Sequence, residues 1–200
     1  MKKIALTIFT VATIFAAFAQ AKKIKKEQTN TNNFHLVDFV GWNTSMEVLA
    51  HYHTSDVKVF GAGYSTVGMH DHETMLRGMI KQMPDSKIIQ HFPNVAKGEW
   101  TGVVGIITGN YKMATLAKWR NGQIAEEYLF NVLLPDSVAS TMKPTAKPIA
   151  SFANSNDKEL AAAVNLQPNW SCTMEEVNGK RTAYFIKTVG GKEVERMVFQ

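Results

Sequence analysis

Residues 120–135 read RNGQIAEEYLFNVLLP. Asn121-Gly122 is a strong signal for a two-residue hairpin turn, because both central residues of such a turn need a positive φ. The apolar stretch after it predicts a long strand. Alternation along a strand places Glu126, Tyr128, Phe130 and Val132 on one face, and Glu127, Leu129 and Asn131 on the other. The two glutamates therefore cannot act as a carboxylate dyad, and Glu126 is the acid expected towards any pocket that Tyr128 and Phe130 line. Three further strands precede the turn, in SKIIQHFPNVAKGEW, TGVVGIITG and YKMATLAKW. Glycines 61, 63, 68, 102, 105 and 109 fall in strands and turns, as bends or bulges of a strongly curved sheet would require.

Upstream, NTSMEVLAHYH predicts a helix capped by Asn43 or Thr44, with Glu47 completing a capping box after Thr44. DVKVFGAG predicts a short strand, and DHETMLRGMIKQM a second helix closed by Pro84. Helix, strand, helix and then several antiparallel strands describe an α+β fold in which helices pack on one face of a sheet.

The flanks read differently. MKKIALTIFTVATIFAAFAQA, residues 1–21, has a basic start, an apolar middle and small-x-small steps at Ala17–Ala19 and Ala19–Ala21. This is the pattern of a cleaved export signal, so a periplasmic or secreted protein without a stable membrane anchor is expected. Residues 22–33, KKIKKEQTNTNN, read as a basic polar linker, and residues 140–157 as a second, Pro/Ser/Asn-rich one. Residues 158–200 predict a short helix and a three-stranded meander turning at Asn178-Gly179 and Gly190-Gly191. Three strands are marginally stable alone. The meander is expected to dock on the main sheet, on a second subunit or on a partner.

Formal net charge is +5, from 22 basic and 17 acidic residues among 200. Six lysines lie in the first 26 residues, and from residue 28 onward 16 basic residues face 16 acidic ones. No nucleic-acid partner is implied. Cys172 is the only cysteine, which excludes a disulfide within the chain. It reads as a small apolar residue rather than a nucleophile.

Five of the six histidines (His51, His53, His70, His72, His91) fall between residues 51 and 91, near Asp56, Asp71 and Glu73. His51-x-His53 and His70-x-His72 have the composition of metal-ligand pairs. HExxH is missing, however, and no carboxylate follows at a metal-site spacing, so no metal site is expected. Trp100, Trp119 and Tyr128 are candidates for the apolar wall of a small-molecule pocket. There is no G-x-S-x-G step and no phosphate-binding glycine loop, so neither covalent catalysis nor a cofactor is expected.

Taken in order, these features resemble the SnoaL-like polyketide cyclase group of the nuclear transport factor 2-like superfamily. The matching residues are Asp56, the Gly68–His72 step into a helix, Pro84-Asp85, the mid-strand His91, GEWTGVVG and KWRNGQIAEEYLF. They span Phe34 to about Leu134, and the domain is drawn at 34–139. The resemblance implies a cone-shaped, curved antiparallel sheet with helices packed on its concave side, and often a homodimer through the sheet. It also implies, for catalytic members, a cofactor-free aldol-type cyclisation with an aspartate on the last long strand as base. A carboxylate in an apolar cavity has a raised pKa suited to that task. The position matching that aspartate is Val132, and the next acid, Asp136, follows Pro135.

The leading expectation is therefore an exported protein that binds a small, largely apolar molecule, with Asp56, His72, His91, Trp100, Trp119 and Tyr128 in its site. Two other functions remain open on these residues. One is a cofactor-independent cyclase, isomerase or hydrolase-like enzyme using His72 or His91 with Asp56 as acid/base group. The other is an interaction protein assembling through the C-terminal meander.

Overall fold

A computed structural model describes residues 24–145, 147–155 and 157–200. The expected export signal, residues 1–21, lies outside the described residues. Residues 24–36 form α1, which runs on through a π-helical stretch, Val37–Trp42. There follow α2 (Met46–His51), β1 (His53–Gly61), β2 (Tyr64–Val67), α3 (Met69–Gln82), β3 (Ile88–Lys97), β4 (Trp100–Ile107), β5 (Tyr111–Arg120) and β6 (Gln123–Phe130). The C-terminal part adds α4 (Asp136–Ala139), β7 (Ala150–Ala153), α5 (Lys158–Ala163), β8 (Trp170–Val177), β9 (Lys180–Val189) and β10 (Lys192–Phe199).

The first sheet has the order β2-β1-β6-β5-β4-β3 and the second β10-β9-β8-β7. The α+β class and the curved sheet with helices on one face are as expected. One strand pair differs: β1 and β6 run parallel, so the first sheet is mixed. The long excursion through β2, α3, β3, β4 and β5 supplies the crossover that a parallel pair requires. Register breaks in the β1–β6, β3–β4 and β5–β6 ladders bend the strands and curve the sheet. The expected turns are present, with positive φ at Asn121 (54°), Gly122 (80°), Asn178 (54°), Gly179 (76°), Gly190 (57°) and Gly191 (76°).

Both faces of the first sheet are buried. On one side Val57, Val59, Val103, Ala117, Trp119 and Ile124 pack against Phe34 and Val37 of α1, Met46 and Leu49 of α2 and Leu76 of α3. On the other, Val95, Val104, Leu116, Tyr128 and Phe130 meet Phe152, Trp170, Cys172, Met174, Phe185 and Phe199 of the second sheet. The meander thus docks on the main sheet of its own chain. Contact is close at Gly102, where an added Cβ would lie 3.1 Å from Cys172 Sγ and 3.3 Å from Phe152 Cζ. Cys172 is fully buried, and burial pushes its thiol well above the ordinary value.

Both stretches read as linkers contain structure. Residues 24–33 are helical, and their inward face is polar: Glu27, Asn30 and Thr31 are all buried. Glu27 Oε1 accepts the Gly98 N–H at 2.7 Å, Asn30 Nδ2 donates to Gly98 O, and Thr31 donates to Glu27 O. A helix anchored by hydrogen bonds at the β3–β4 turn shows no apolar stripe, so hydrophobic periodicity misses it. Because this helix continues to residue 44, the cap of α2 moves to Ser45, whose hydroxyl accepts the Val48 N–H. Asn43 instead pairs with the backbone of Ile88, donating to its O at 2.8 Å and accepting from its N at 2.9 Å. The second linker contains β7, a fourth strand for the C-terminal sheet, which buries Ala150 and Phe152. Its flanking Pro, Ser and Asn residues conceal this short alternation.

Asn154, just beyond β7, fastens the two sheets together. Its Oδ1 accepts the Ala96 N–H at 2.9 Å, and its Nδ2 donates to Asn94 O at 2.9 Å and Gln167 O at 2.6 Å. Asn154→Ala leaves those three backbone groups without that partner and should lower stability by about 2–4 kcal/mol. Urea denaturation checks this, and a loss below about 1 kcal/mol would show that Asn154 does not hold the sheets.

Candidate functional site

The helices and the first sheet enclose a cavity of about 610 Å³. Its apolar wall comes mainly from Val37, Leu49, Leu76, Met79, Ile107 and Leu129, contributed by α1, α2, α3, β4 and β6. Its polar lining includes Asp38, Tyr64, Asp85, Ser86 and Asn131 and a buried cluster of His53, His72 and Glu127.

A bulge decides which glutamate enters. In the β5–β6 ladder Lys118 pairs with Glu126 and the adjacent Trp119 with Ile124, so Ala125 is an extra residue. Across that bulge the side-chain parity of β6 reverses. Ile124, Glu127, Leu129 and Asn131 point to the helices, while Tyr128 and Phe130 point to the second sheet. The cavity acid is therefore Glu127 and not Glu126, which contacts Tyr128 and Lys118 on the other face.

His53 begins β1, His72 sits in the first turn of α3, and Glu127 is central in β6. Glu127 Oε2 lies 3.7 Å from His53 Nε2 and 3.6 Å from His72 Nε2, both long for hydrogen bonds. His53 Nδ1 donates to Leu49 O at 2.7 Å, which orients the ring. Burial alone would raise the Glu127 carboxyl, but the facing imidazoles of His53 and then His72 outweigh it and hold the group below the usual glutamate range. Burial lowers the His72 imidazole to about 4 despite the opposing pull of Glu127, so this ring is neutral at neutral pH. Burial, and then the Glu127 charge, raise the Tyr64 phenol to about 12. His53 Nε2, His72 Nδ1 and the Tyr64 hydroxyl are buried and have no hydrogen-bond partner among the described residues.

Of the six residues expected in a site, only His72 lines the cavity. Asp56 is on the surface, its side chain 64 % exposed and paired with Arg120. The neighbouring Val57 and Val59 occupy the inward positions of β1, and alternation directs Asp56 outward. His91 is buried and paired with Asp38 through Nε2–Oδ2 at 2.7 Å, not with Asp56. Asp38 lines the cavity and His91 does not, so any acid–base chemistry of this pair would be presented by Asp38. Trp119 is a core residue that donates to Thr101 Oγ1 at 2.8 Å. Trp100 and Tyr128 lie at the interface with the second sheet, stacked among Phe60 and Phe152.

Val132 has left the first sheet. Its backbone exchanges hydrogen bonds with Gln200, at 3.1 and 2.9 Å, and its side chain faces out, the residue being 53 % exposed. Even an aspartate at this position would not face the cavity. The sequence reading missed His53, Glu127, Asp38 and Tyr64 as site residues. Only the H-x-H pairs hinted at the cluster, which takes one imidazole from each pair and leaves His51 and His70 exposed.

No protein-family model matches the chain, and no curated protein matches it. Solved structures do. A SnoaL-like protein of unknown function from Burkholderia thailandensis is 7 % identical over 52 % of this chain and 95 % of its own, with a TM-score of 0.47. A Jannaschia protein of the SnoaL-like polyketide cyclase kind is 15 % identical over 61 % of this chain and 95 % of its own, at 0.49. A nuclear transport factor 2-like protein from Burkholderia xenovorans is 16 % identical over 52 % and 89 %, at 0.41.

The different placement of the two aspartates is testable. Asp38→Ala removes a buried, charge-assisted hydrogen bond and should cost about 2–3 kcal/mol. Asp56→Ala should leave the urea midpoint unchanged. Equal effects in the two variants would contradict this placement.

Proposed function

We propose that this chain is an exported protein that binds a small, largely apolar molecule in the cone. The observation that carries this reading is the cavity itself, about 610 Å³, with an apolar wall and a buried polar cluster at one part of it. That combination is the usual form of a small-molecule site. The walls reward burial of a hydrocarbon body by roughly 25 cal/mol per Å². The polar cluster and Asp38 favour a ligand with one polar end, which the cluster would orient.

Filling the space tests the reading. Nile red should bind the purified chain saturably at one site. Leu129→Trp and Met79→Trp, which add bulk from the sheet side and the helix side, should each weaken this binding more than about 10-fold, a loss of some 1.4 kcal/mol. Circular dichroism reports whether the variants keep their fold. Unchanged binding in both folded variants would place the dye elsewhere and overturn the cavity reading.

Export rests on the pattern of residues 1–21. Intact-mass measurement on protein from the periplasmic or culture fraction should show a chain starting at Gln20 or Lys22. Recovery only from the cytosol, with the first residues retained, would overturn it.

A further inference from the structure

Where His53, His72 and Glu127 meet, two imidazole nitrogens face one buried carboxylate. The His53 Nδ1 proton is committed to Leu49 O, so in the neutral ring Nε2 directs a lone pair at the Glu127 carboxylate. A carboxylate has only acceptor sites as well. The two ring nitrogens stand 3.7 and 3.6 Å from Glu127 Oε2, too far for well-formed hydrogen bonds. An ionised carboxylate is buried only where neighbouring groups compensate its charge, and the groups placed to do so here are the two imidazoles and any cation they share with it.

The spacing suits a metal ion better than a shared proton. One donor atom from each residue can be chosen so that all three lie within 4.8 Å of one another. The two contacts to Glu127, 3.6 and 3.7 Å, exceed a hydrogen bond. They come within a few tenths of an ångström of the ~3.3–3.5 Å between neighbouring ligands in a tetrahedral site with bonds of ~2.0–2.2 Å. The cluster also has the supporting contact that metal-bound imidazoles characteristically make, a ring N–H donated to a backbone carbonyl. Each of the three side chains comes from a different element (β1, α3 and β6), so the core on which those elements pack sets their separation.

We propose that His53, His72 and Glu127 bind a divalent transition-metal ion at the polar end of the cone, with its remaining coordination positions open to the cavity. Two neutral nitrogens and one carboxylate favour zinc or iron(II) over magnesium or calcium, which take oxygen ligands. The dication would neutralise Glu127 and leave a net single positive charge. The open positions, beside the Tyr64 hydroxyl, would accept water or an oxygen of the cone's ligand. The inference does not depend on the ligand reading, because the ion is held by the protein alone.

The test uses untagged full-length chain stripped with a chelator. Cobalt(II) should bind at one equivalent, give the visible absorption bands of a four- or five-coordinate ion, and be displaced by zinc(II). His72→Ala and Glu127→Gln should each weaken zinc binding by more than about 100-fold in calorimetry. The double variant His51→Ala/His70→Ala, which removes the exposed partner of each pair, should bind like the unmodified chain. Should the site variants fail to fold, histidine-ring nitrogen NMR of the unmodified chain decides. Zinc must then shift the ring signals of His53 and His72, and not those of His51 and His70. The proposal is overturned by no stoichiometric binding, by binding that survives in folded His72→Ala and Glu127→Gln, by loss of binding in the double variant, or by ring shifts confined to His51 and His70. Nile red binding to the stripped chain separates this outcome from failure of the cavity itself.

Discussion

The six-stranded sheet is buried on both faces, and every other feature of the chain depends on that constraint. β6 lies at its centre between β1 and β5. Tyr128 and Phe130 face the second sheet, whereas Glu127 and Leu129 face the helices and the cavity. Neither face of such a strand can be exchanged for the other, because a slip of one residue would place Glu127 among Phe152, Trp170 and Phe185. The bulge at Ala125 sets this parity. It brings a carboxylate into the cone and directs Tyr128 away from it.

The two covering layers do different work. The helical layer leaves space: α1, α2 and α3 seal the sheet with Phe34, Val37, Leu49 and Leu76, yet part of the concave side stays open as the cavity. The second sheet packs more closely. Its aromatic residues cover the opposite face, Gly102 admits Cys172 to close contact, and Asn154 joins Asn94 and Ala96 of β3 to Gln167.

Within the cone the buried titratable residues fall into two groups. His91 holds Asp38 at one part of the wall, and His53, His72, Tyr64 and Glu127 gather at another. The buried carboxylate near two neutral-capable imidazoles is the unusual element, since an interior charge normally has a hydrogen-bonded partner. Packing of the surrounding core keeps these groups together, and their chemistry follows from that enforced proximity.

By itself the sequence determined the class of fold, because its evidence is local. The Asn-Gly and Gly-Gly turns need positive φ, the periodicity of residues 69–82 is helical, and alternating strands follow in order. It also determined that Glu126 and Glu127 diverge, since adjacent residues of a strand point apart. The tertiary structure alone decided which of the two enters the cavity, because one bulged residue reverses the parity of everything after it. Only there do His53, His72 and Glu127, far apart in the chain, become neighbours, and only there does Asp56 prove to be a surface residue. Residues 24–33 escaped the sequence reading for a related reason. Their inward face is polar, and the hydrogen bonds that make its burial favourable come from Gly98, some 70 residues further along the chain.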